Sequence, residues 1–230
     1  MTKIVILTGA GISAESGLGT FRDKDGLWTK YDLDDVATPE GFARNPDLVH
    51  DFYNARRKNC HEASPNAAHH ALAKLESEFD GDVLIVTQNV DDLHERAGSR
   101  AVWHMHGQLM RARCSACDHH WDAPLEMHAH APCPACAENT TRPDIVWFGE
   151  FPFYMDQIWD ALRAADLFVS VGTSGNVYPA AAFVQDAARA GADTLELNLE
   201  PSLGAHDFAN TRQGPATQIV PTWVDEMLSA

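Results

Sequence analysis

Four cysteines and two glycines carry the first chemical signals in this 230-residue chain. Cys114-x2-Cys117 and Cys133-x2-Cys136, with fifteen residues between the pairs, let four thiolates close a tetrahedron around Zn2+ and leave no position for water. A site of that kind is structural, and its binding energy helps fold an insert too small to have a core. His119, His120, His128 and His130 stand nearby, but the thiolates complete the shell, so these histidines read as solvated loop residues. Gly9-Ala10-Gly11, directly after the apolar run Ile4-Val5-Ile6-Leu7, suits a different ligand. Its backbone can approach a diphosphate seated at a helix N-terminus. Ala14 stands where the usual dinucleotide fingerprint has its third glycine, and no acidic residue closes a nearby second strand. Residues 16–31, rich in Gly, Asp and aromatics, are too many for a Rossmann turn and read as a loop that closes over ligand. Hydride transfer is a poor match to this pattern.

These residues need a frame to hold them. Apolar runs recur at residues 4–8, 83–87, 101–104, 167–171, 194–199 and 217–220. Most are continuous, as expected of strands covered on both faces of a parallel sheet. Helical patterns fall between them: one capped by Ser64-Pro65, one over 155–165, and one from Pro179 to Gly191. The alternation predicts an α/β fold, a doubly wound Rossmann-like parallel sheet with a smaller zinc-binding and helical lobe inserted. On this reading residues 1–32, 64–107 and 143–230 form the nucleotide-binding domain, and 33–63 and 108–142 the small lobe. Gln88, Asn89 and Asp91 then lie at the carboxyl edge of the sheet, where such folds bind ligands. Asp91 also suits the N-cap of a helix through Leu93-His94-Glu95.

Bulk properties narrow the setting. A net charge of −16 opposes binding to nucleic acid or an anionic membrane, and no run approaches the ~18 apolar residues of a membrane span. Four of the five cysteines sit in tight pairs, which suits a metal in the reducing cytoplasm better than disulfides. Cys60 is left as a buried, inert thiol.

The block from Gly9 through Ser13-Ala14-Glu15-Ser16-Gly17, then Thr20-Phe21-Arg22-Asp23 and Gly26-Leu27-Trp28, resembles the sirtuin family of NAD-dependent protein deacylases. So do Thr87-Gln88-Asn89-Val90-Asp91, His94-Glu95-Arg96-Ala97-Gly98 and His104-Met105-His106-Gly107. The likeness extends through the cysteine quartet, Val146-Trp147-Phe148-Gly149-Glu150, Gly172-Thr173-Ser174 and Asn198-Leu199-Glu200, in the family's order over essentially the whole chain. It implies that NAD is consumed as a cosubstrate, with one structural zinc. The acyl oxygen of a modified lysine attacks the ribose carbon as nicotinamide leaves, and the acyl group ends on ADP-ribose. By matching position His106 is the general base, a role suited to a side chain titrating near neutral pH, and Asn89 assists. The rival two residues earlier, His104, is set aside because Gly107 marks a strand end where a side chain can face a cleft. The resemblance assigns Gly9, Ala10, Gly11, Glu15, Phe21, Arg22, Trp28, Gln88, Asn89, Asp91, Gly172, Thr173, Ser174, Asn198, Leu199, Glu200 and Ala216 to NAD. Gly19 departs from relatives, which commonly carry a bulkier or basic residue there.

Two segments bear on the other substrate, an acylated-lysine protein or peptide. Val146, Trp147, Phe148, Gly149 and Glu150 form an extended apolar stretch whose backbone edge can accept a substrate strand. Tyr53 and Arg56, at i and i+3 on a helix, point the same way and match the pair of the branch that removes succinyl and malonyl groups. There Ala37 is the small residue that widens the pocket. A solvated Arg56-Arg57 face is the bland alternative. Mono-ADP-ribosyl transfer shares the same NAD chemistry and stays open, an NAD(P) oxidoreductase less so. The expected protein is a cytoplasmic monomer that does not bind nucleic acid or membrane.

Overall fold

The computed structural model describes residues 1–19 and 31–229. Phe21, Arg22 and Trp28 lie outside the described residues. The strands are β1 (Thr2–Thr8), β2 (Gly81–Thr87), β3 (Val102–His104), β4 (Gly107–Cys114), β5 (His120–Asp122), β6 (Thr141–Ile145), β7 (Leu167–Val171), β8 (Asp193–Asn198) and β9 (Asn210–Gln213). The helices are α1 (Ala10–Ala14), α2 (Leu33–Val36), α3 (Pro39–Arg44), α4 (Pro46–Glu62), α5 (Ala67–Glu78), α6 (Leu93–Ala97), α7 (Met155–Ala164), α8 (Phe183–Ala190) and α9 (Ala216–Ser229). Six strands form one sheet in the order β3-β2-β1-β7-β8-β9, every pairing parallel.

The continuous apolar strands follow from this arrangement, because each central strand is covered twice. Successive side chains of a strand point to opposite faces. Ile4 and Ile6 of β1 pack with Leu72 and Leu75 of α5 and Trp223 and Val224 of α9. Val5 and Leu7 pack with Ile158 and Leu162 of α7 and Phe183 and Val184 of α8 on the other side. Fully burying a side chain of this size contributes about 1.5–3 kcal/mol, so two such layers fix the strand register strongly. The order reverses at β1, with β2 on one flank and β7 on the other. A crevice therefore forms beyond the carboxyl ends of β1 and β7.

The small lobe has its own frame. Helices α2, α3 and α4 follow one another with no strand between, and β4, β5 and β6 make an antiparallel sheet in the order β5-β4-β6. Val36, Val49, Phe52, Tyr53, Leu109, Ile145 and Trp147 form its core. Strand β6 crosses the boundary expected at 142/143 and belongs to this small sheet.

Three local expectations are corrected. Residues 217–220 are not a strand but the first turns of α9. Thr217, Ile219 and Val220 have the β-branched character of a strand, but Val220, Trp223 and Val224 recur at helical spacing and pack on α5 and β1. The exposed strand β9 takes the sheet edge instead. Helix α5 is capped by Asn66, not by Ser64-Pro65, with Oδ1 accepting from the Ala68 N–H at 2.9 Å and the His69 ring closing a capping box. His120 lies within β5 rather than in a loop and bonds Asp144 at 2.9 Å, with its side chain still solvent-exposed.

Candidate active site

The glycine loop is built by backbone approach on two sides. Gly9 N–H donates to Val171 O at 3.0 Å and Gly11 N–H to Gly172 O at 2.8 Å, which joins the β1–α1 turn to the end of β7. A Cβ on Gly11 would lie 2.7 Å from the Gly172 Cα and O, and one on Gly9 would lie 2.9 Å from Gly172 O. Gly172 itself has φ +62°, in the left-handed region that favours glycine. These glycines therefore serve the chain's own turn-to-turn packing first. The α1 N-terminus is left facing the crevice.

Beyond the strand ends lies one cavity of about 1070 Å3. Among the described residues, every residue assigned to NAD lines it: Gly9, Ala10, Gly11, Glu15, Gln88, Asn89, Asp91, Gly172, Thr173, Ser174, Asn198, Leu199, Glu200 and Ala216. His106, Tyr53, Arg56, Ala37 and the segment Val146, Trp147, Phe148, Gly149 and Glu150 line the same cavity. Residues drawn from nine separate stretches of chain thus converge on one volume.

Several of these side chains are already committed to the chain. Asn89, 7% exposed, donates from Nδ2 to Gly9 O and to Ser13 Oγ, each at 3.1 Å. Ser13 Oγ donates in turn to Asp91 Oδ2 at 3.1 Å, and Asp91 Oδ1 accepts from the Leu93 N–H at 3.2 Å. Asp91 is thus both an anchor for α6 and a wall of the cavity, and burial raises its pKa against those bonds, which lower it. Asn198 Nδ2 donates to Thr173 O at 2.7 Å. Glu15 accepts from the N–H and hydroxyl of Thr217, at 3.0 and 2.7 Å, tying α1 to α9.

Sequence reading passed over Ser13 and His69. Ser13 is buried at the centre of this network, and His69 Nε2 stands 3.4 Å from its hydroxyl. Because His69 Nδ1 accepts from the Asn66 N–H, Nε2 carries the proton and donates. Ser13 was visible inside the glycine block, whereas nothing in the local pattern around His69 distinguishes it from its neighbour His70.

The two histidines at the end of β3 differ in kind. His104 is 4% exposed, with Nδ1 3.1 Å from Asn89 O and Nε2 2.6 Å from Glu95 Oε1. Both partners accept, an arrangement that favours protons on both ring nitrogens and hence the imidazolium form. Burial lowers its pKa, but the Glu95 carboxylate and the Asn89 carbonyl raise it further. His106 has one such partner, the Gln88 carbonyl at 3.2 Å from Nδ1. That bond fixes the proton on Nδ1 and leaves Nε2 as the basic nitrogen. Burial lowers the His106 pKa below the ordinary 6.5, against the Gln88 carbonyl, which raises it.

Much of the backbone at 146–150 is engaged within the chain through its N–H groups. Val146 N–H donates to His106 O, Phe148 N–H to Ala37 O, Glu150 N–H to Trp147 O and Trp147 N–H to Glu150 Oε2. Four of its five N–H groups are thus bonded within the chain. Glu150 is held by Arg142 at 2.7 Å and Arg113 at 3.0 Å. What faces outward is the half-exposed ring of Phe148, and Val177 and Tyr178 add exposed apolar surface to the same cavity.

The four cysteine Sγ atoms lie within 4.8 Å of one another. Cys114 and Cys136 are 3.7 Å apart, Cys117 and Cys133 3.8 Å. Four sulfurs about 2.3 Å from a central Zn2+ have tetrahedral edges of about 3.8 Å, so the cluster fits a structural zinc. In each pair the N–H two residues on points at the first sulfur, Ala116 to Cys114 at 3.3 Å and Ala135 to Cys133 at 3.4 Å. Such bonds favour the thiolate form that zinc requires. Cys60 is 1% exposed and burial pushes its thiol up to about 12, which keeps it inert.

The chain's relatives agree with this geometry. The model of the Sir2 family matches residues 9–179. An NAD-dependent protein deacylase of Caulobacter vibrioides is 59% identical over 99% of this chain and 97% of its own length. One from Vibrio vulnificus is 54% identical, over 99% and 94%. Among solved structures, a Sir2 homolog–NAD complex superposes with a TM-score of 0.91 at 36% identity, covering 99% of this chain and 90% of that one. Sir2 bound to an acetylated peptide gives 0.83 at 27%, covering 97% and 92%. With glycine loop, paired histidines and cysteine cluster in one framework, and a family match over most of its length, the chain belongs to the Sir2 family.

Proposed function

We propose that this protein is an NAD-dependent lysine deacylase that removes succinyl and acetyl groups, and malonyl as well, from protein lysines. One observation carries the reading: Tyr53, Arg56 and His106 line the same cavity as the Gly9–Gly11 loop. The relatives named above as deacylases support the broad reaction, and the Tyr53–Arg56 pair supports the acyl class. NAD, when bound, supplies an electrophilic ribose carbon with nicotinamide as leaving group. The rest of the work falls to the chain. The α1 N-terminus and the Gly172-Thr173-Ser174 loop hold the diphosphate. Gln88, Asn89 and Asp91 orient the nicotinamide ribose, and Asn198, Leu199, Glu200 and Ala216 the adenosine side. His106 Nε2 takes the proton from a ribose hydroxyl. Phe148, Val177 and Tyr178 give the peptide an apolar rim, so docking needs little sequence preference.

The acyl end is where this chain would discriminate. Arg56 lies with its guanidinium carbon 5.5 Å from the Tyr53 ring centroid and 5.7 Å from that of Phe52. A guanidinium held over aromatic faces in a partly buried pocket is suited to a carboxylate, which it can bind bidentately. Ala37, 5% exposed, leaves room for the longer acyl chain. The test is to measure nicotinamide release from NAD with succinyl-lysine and acetyl-lysine versions of one peptide. Release with both, and a higher kcat/KM for succinyl, is the expected result. Release with acetyl-lysine alone would overturn the acidic-acyl reading, and release with neither would overturn the activity.

A further inference from the structure

Tyr53 is 1% exposed and lines the cavity, and the hydrogen bonds of its hydroxyl decide what it can do there. A phenol has one proton to give and two lone pairs that accept. Trp147 Nε1–H donates to this oxygen at 2.9 Å, and indole N–H can only donate. The Arg56 guanidinium stands beside the same residue, its carbon 5.5 Å from the Tyr53 ring centroid, and guanidinium likewise only donates. With the indole N–H donating to its oxygen, the phenol keeps its own proton to give. Tyr53 is thereby set as a donor to an acceptor placed in the cavity.

Trp147 is in turn fixed from several sides. It is 3% exposed, with the Arg142 guanidinium carbon 3.4 Å from its ring centroid and the Phe42 ring 5.2 Å away. Arg142 is held by both oxygens of Glu150, at 2.7 and 2.9 Å, and Glu150 Oε2 accepts the Trp147 backbone N–H at 2.8 Å. Indole, guanidinium and carboxylate therefore lock one another. The indole N–H has little freedom to leave the phenol.

We propose that Trp147 is a specificity-positioning residue: its indole N–H holds the Tyr53 hydroxyl as a donor into the pocket and so favours acyl groups that end in a carboxylate over neutral acyl groups of equal length. This rests on the Tyr53–Arg56 reading given above. A neutral hydrogen-bonding geometry of this kind is worth about a factor of five to ten in discrimination. The experiment measures kcat/KM for succinyl-lysine and butyryl-lysine peptides, which share chain length and differ in the carboxylate, on wild type, Trp147→Phe, Tyr53→Phe and the double variant. The succinyl/butyryl ratio should fall roughly fivefold or more in Trp147→Phe, mainly through the succinyl KM. Tyr53→Phe should lower it similarly, and the double variant should be no worse than Tyr53→Phe alone.

An unchanged ratio in Trp147→Phe, or additive losses in the double variant, would overturn the assignment. Wild type without a preference for succinyl over butyryl would instead fail the Tyr53–Arg56 reading itself, and this proposal with it. Should Trp147→Phe not fold, Trp147 is replaced by 3-benzothienylalanine, which keeps the ring shape and lacks the N–H. The same fall in ratio is expected, and an unchanged ratio there would also overturn the proposal.

Discussion

At the scale of single residues, two ring nitrogens and one guanidinium carry the predictions. His106 is held with its proton on Nδ1, and burial lowers its pKa below 6.5. In the proposed mechanism the neutral ring is the active form. It therefore predominates at pH 7 and is lost as pH falls through a value below 6.5. The acidic limb of kcat/KM, which reports the free enzyme, should have its midpoint below 6.5. A midpoint above that value would count against His106 as the base. His106→Ala should lower nicotinamide release by roughly 100-fold or more, the usual worth of a general base, and wild-type-like turnover would refute the role. His104 cannot substitute, since Glu95 and Asn89 occupy both of its nitrogens. The guanidinium is Arg56. Arg56→Met should depress desuccinylation much more than deacetylation, on the order of tenfold in their ratio, because only the succinyl group offers a carboxylate to a charged donor. Equal loss on both substrates would exclude a carboxylate clamp.

At the scale of elements, the packing of the two glycine turns against each other makes a separate prediction. A methyl on Gly11 would meet the Gly172 backbone at 2.7 Å, and backbone cannot swing aside as a long side chain can. Gly11→Ala should cost about 1–3 kcal/mol, as overpacking does. For a chain of this length that corresponds to a fall in Tm of roughly 2–10 °C, with NAD affinity weakened in parallel. An unchanged melting curve would show that the loop relaxes freely. The same contact explains what was legible in the chain and what was not. Glycine spacing, continuous apolar strands and the cysteine pairs are local signals, and each marks its element directly. Asn66 as the cap of α5 is not local, because its Nδ2 also reaches Ile12 O at 2.8 Å and Ser16 Oγ at 3.0 Å. That tertiary bond makes Asn66 preferable to Ser64. The α9 segment misleads for a similar reason, since Pro221 and five β-branched residues argue against a helix that packing on α5 nevertheless stabilises. At residues 146–150 periodicity reports apolar faces and cannot report that Ala37 and His106 carbonyls, far away in sequence, accept N–H groups there.

At the scale of the whole molecule, the cysteine cluster and the proposed acyl pocket are both tied to the three-stranded sheet and α4, while the glycine loop rests on the six-stranded sheet. Arg113 precedes the ligand Cys114 on β4 and bonds Glu150, which holds Arg142 and the Trp147 backbone. On the other side Asn54 of α4 exchanges two bonds with Met127, at 2.8 and 2.9 Å, and the buried Arg57 bonds Leu125 O at 3.2 Å. Those residues lead into the second cysteine pair, and α4 also carries Tyr53 and Arg56. The glycine loop depends instead on β1, β7 and α9. A structural zinc contributes about 10–16 kcal/mol of apparent binding energy, comparable to the 5–15 kcal/mol that separates a whole domain from its unfolded state. Losing it should therefore unravel β4, β5 and β6 rather than merely loosen them. The purified protein should contain one zinc per chain by metal analysis. After removal by a chelator, affinity for a succinyl-lysine peptide should drop at least tenfold, while calorimetric affinity for NAD should stay within about threefold. Restoring Zn2+ should recover peptide binding. If both affinities fall together, the two lobes fold as one cooperative unit and the separation argued here is wrong. If neither falls, the thiolates are not what holds the acyl-pocket wall in place.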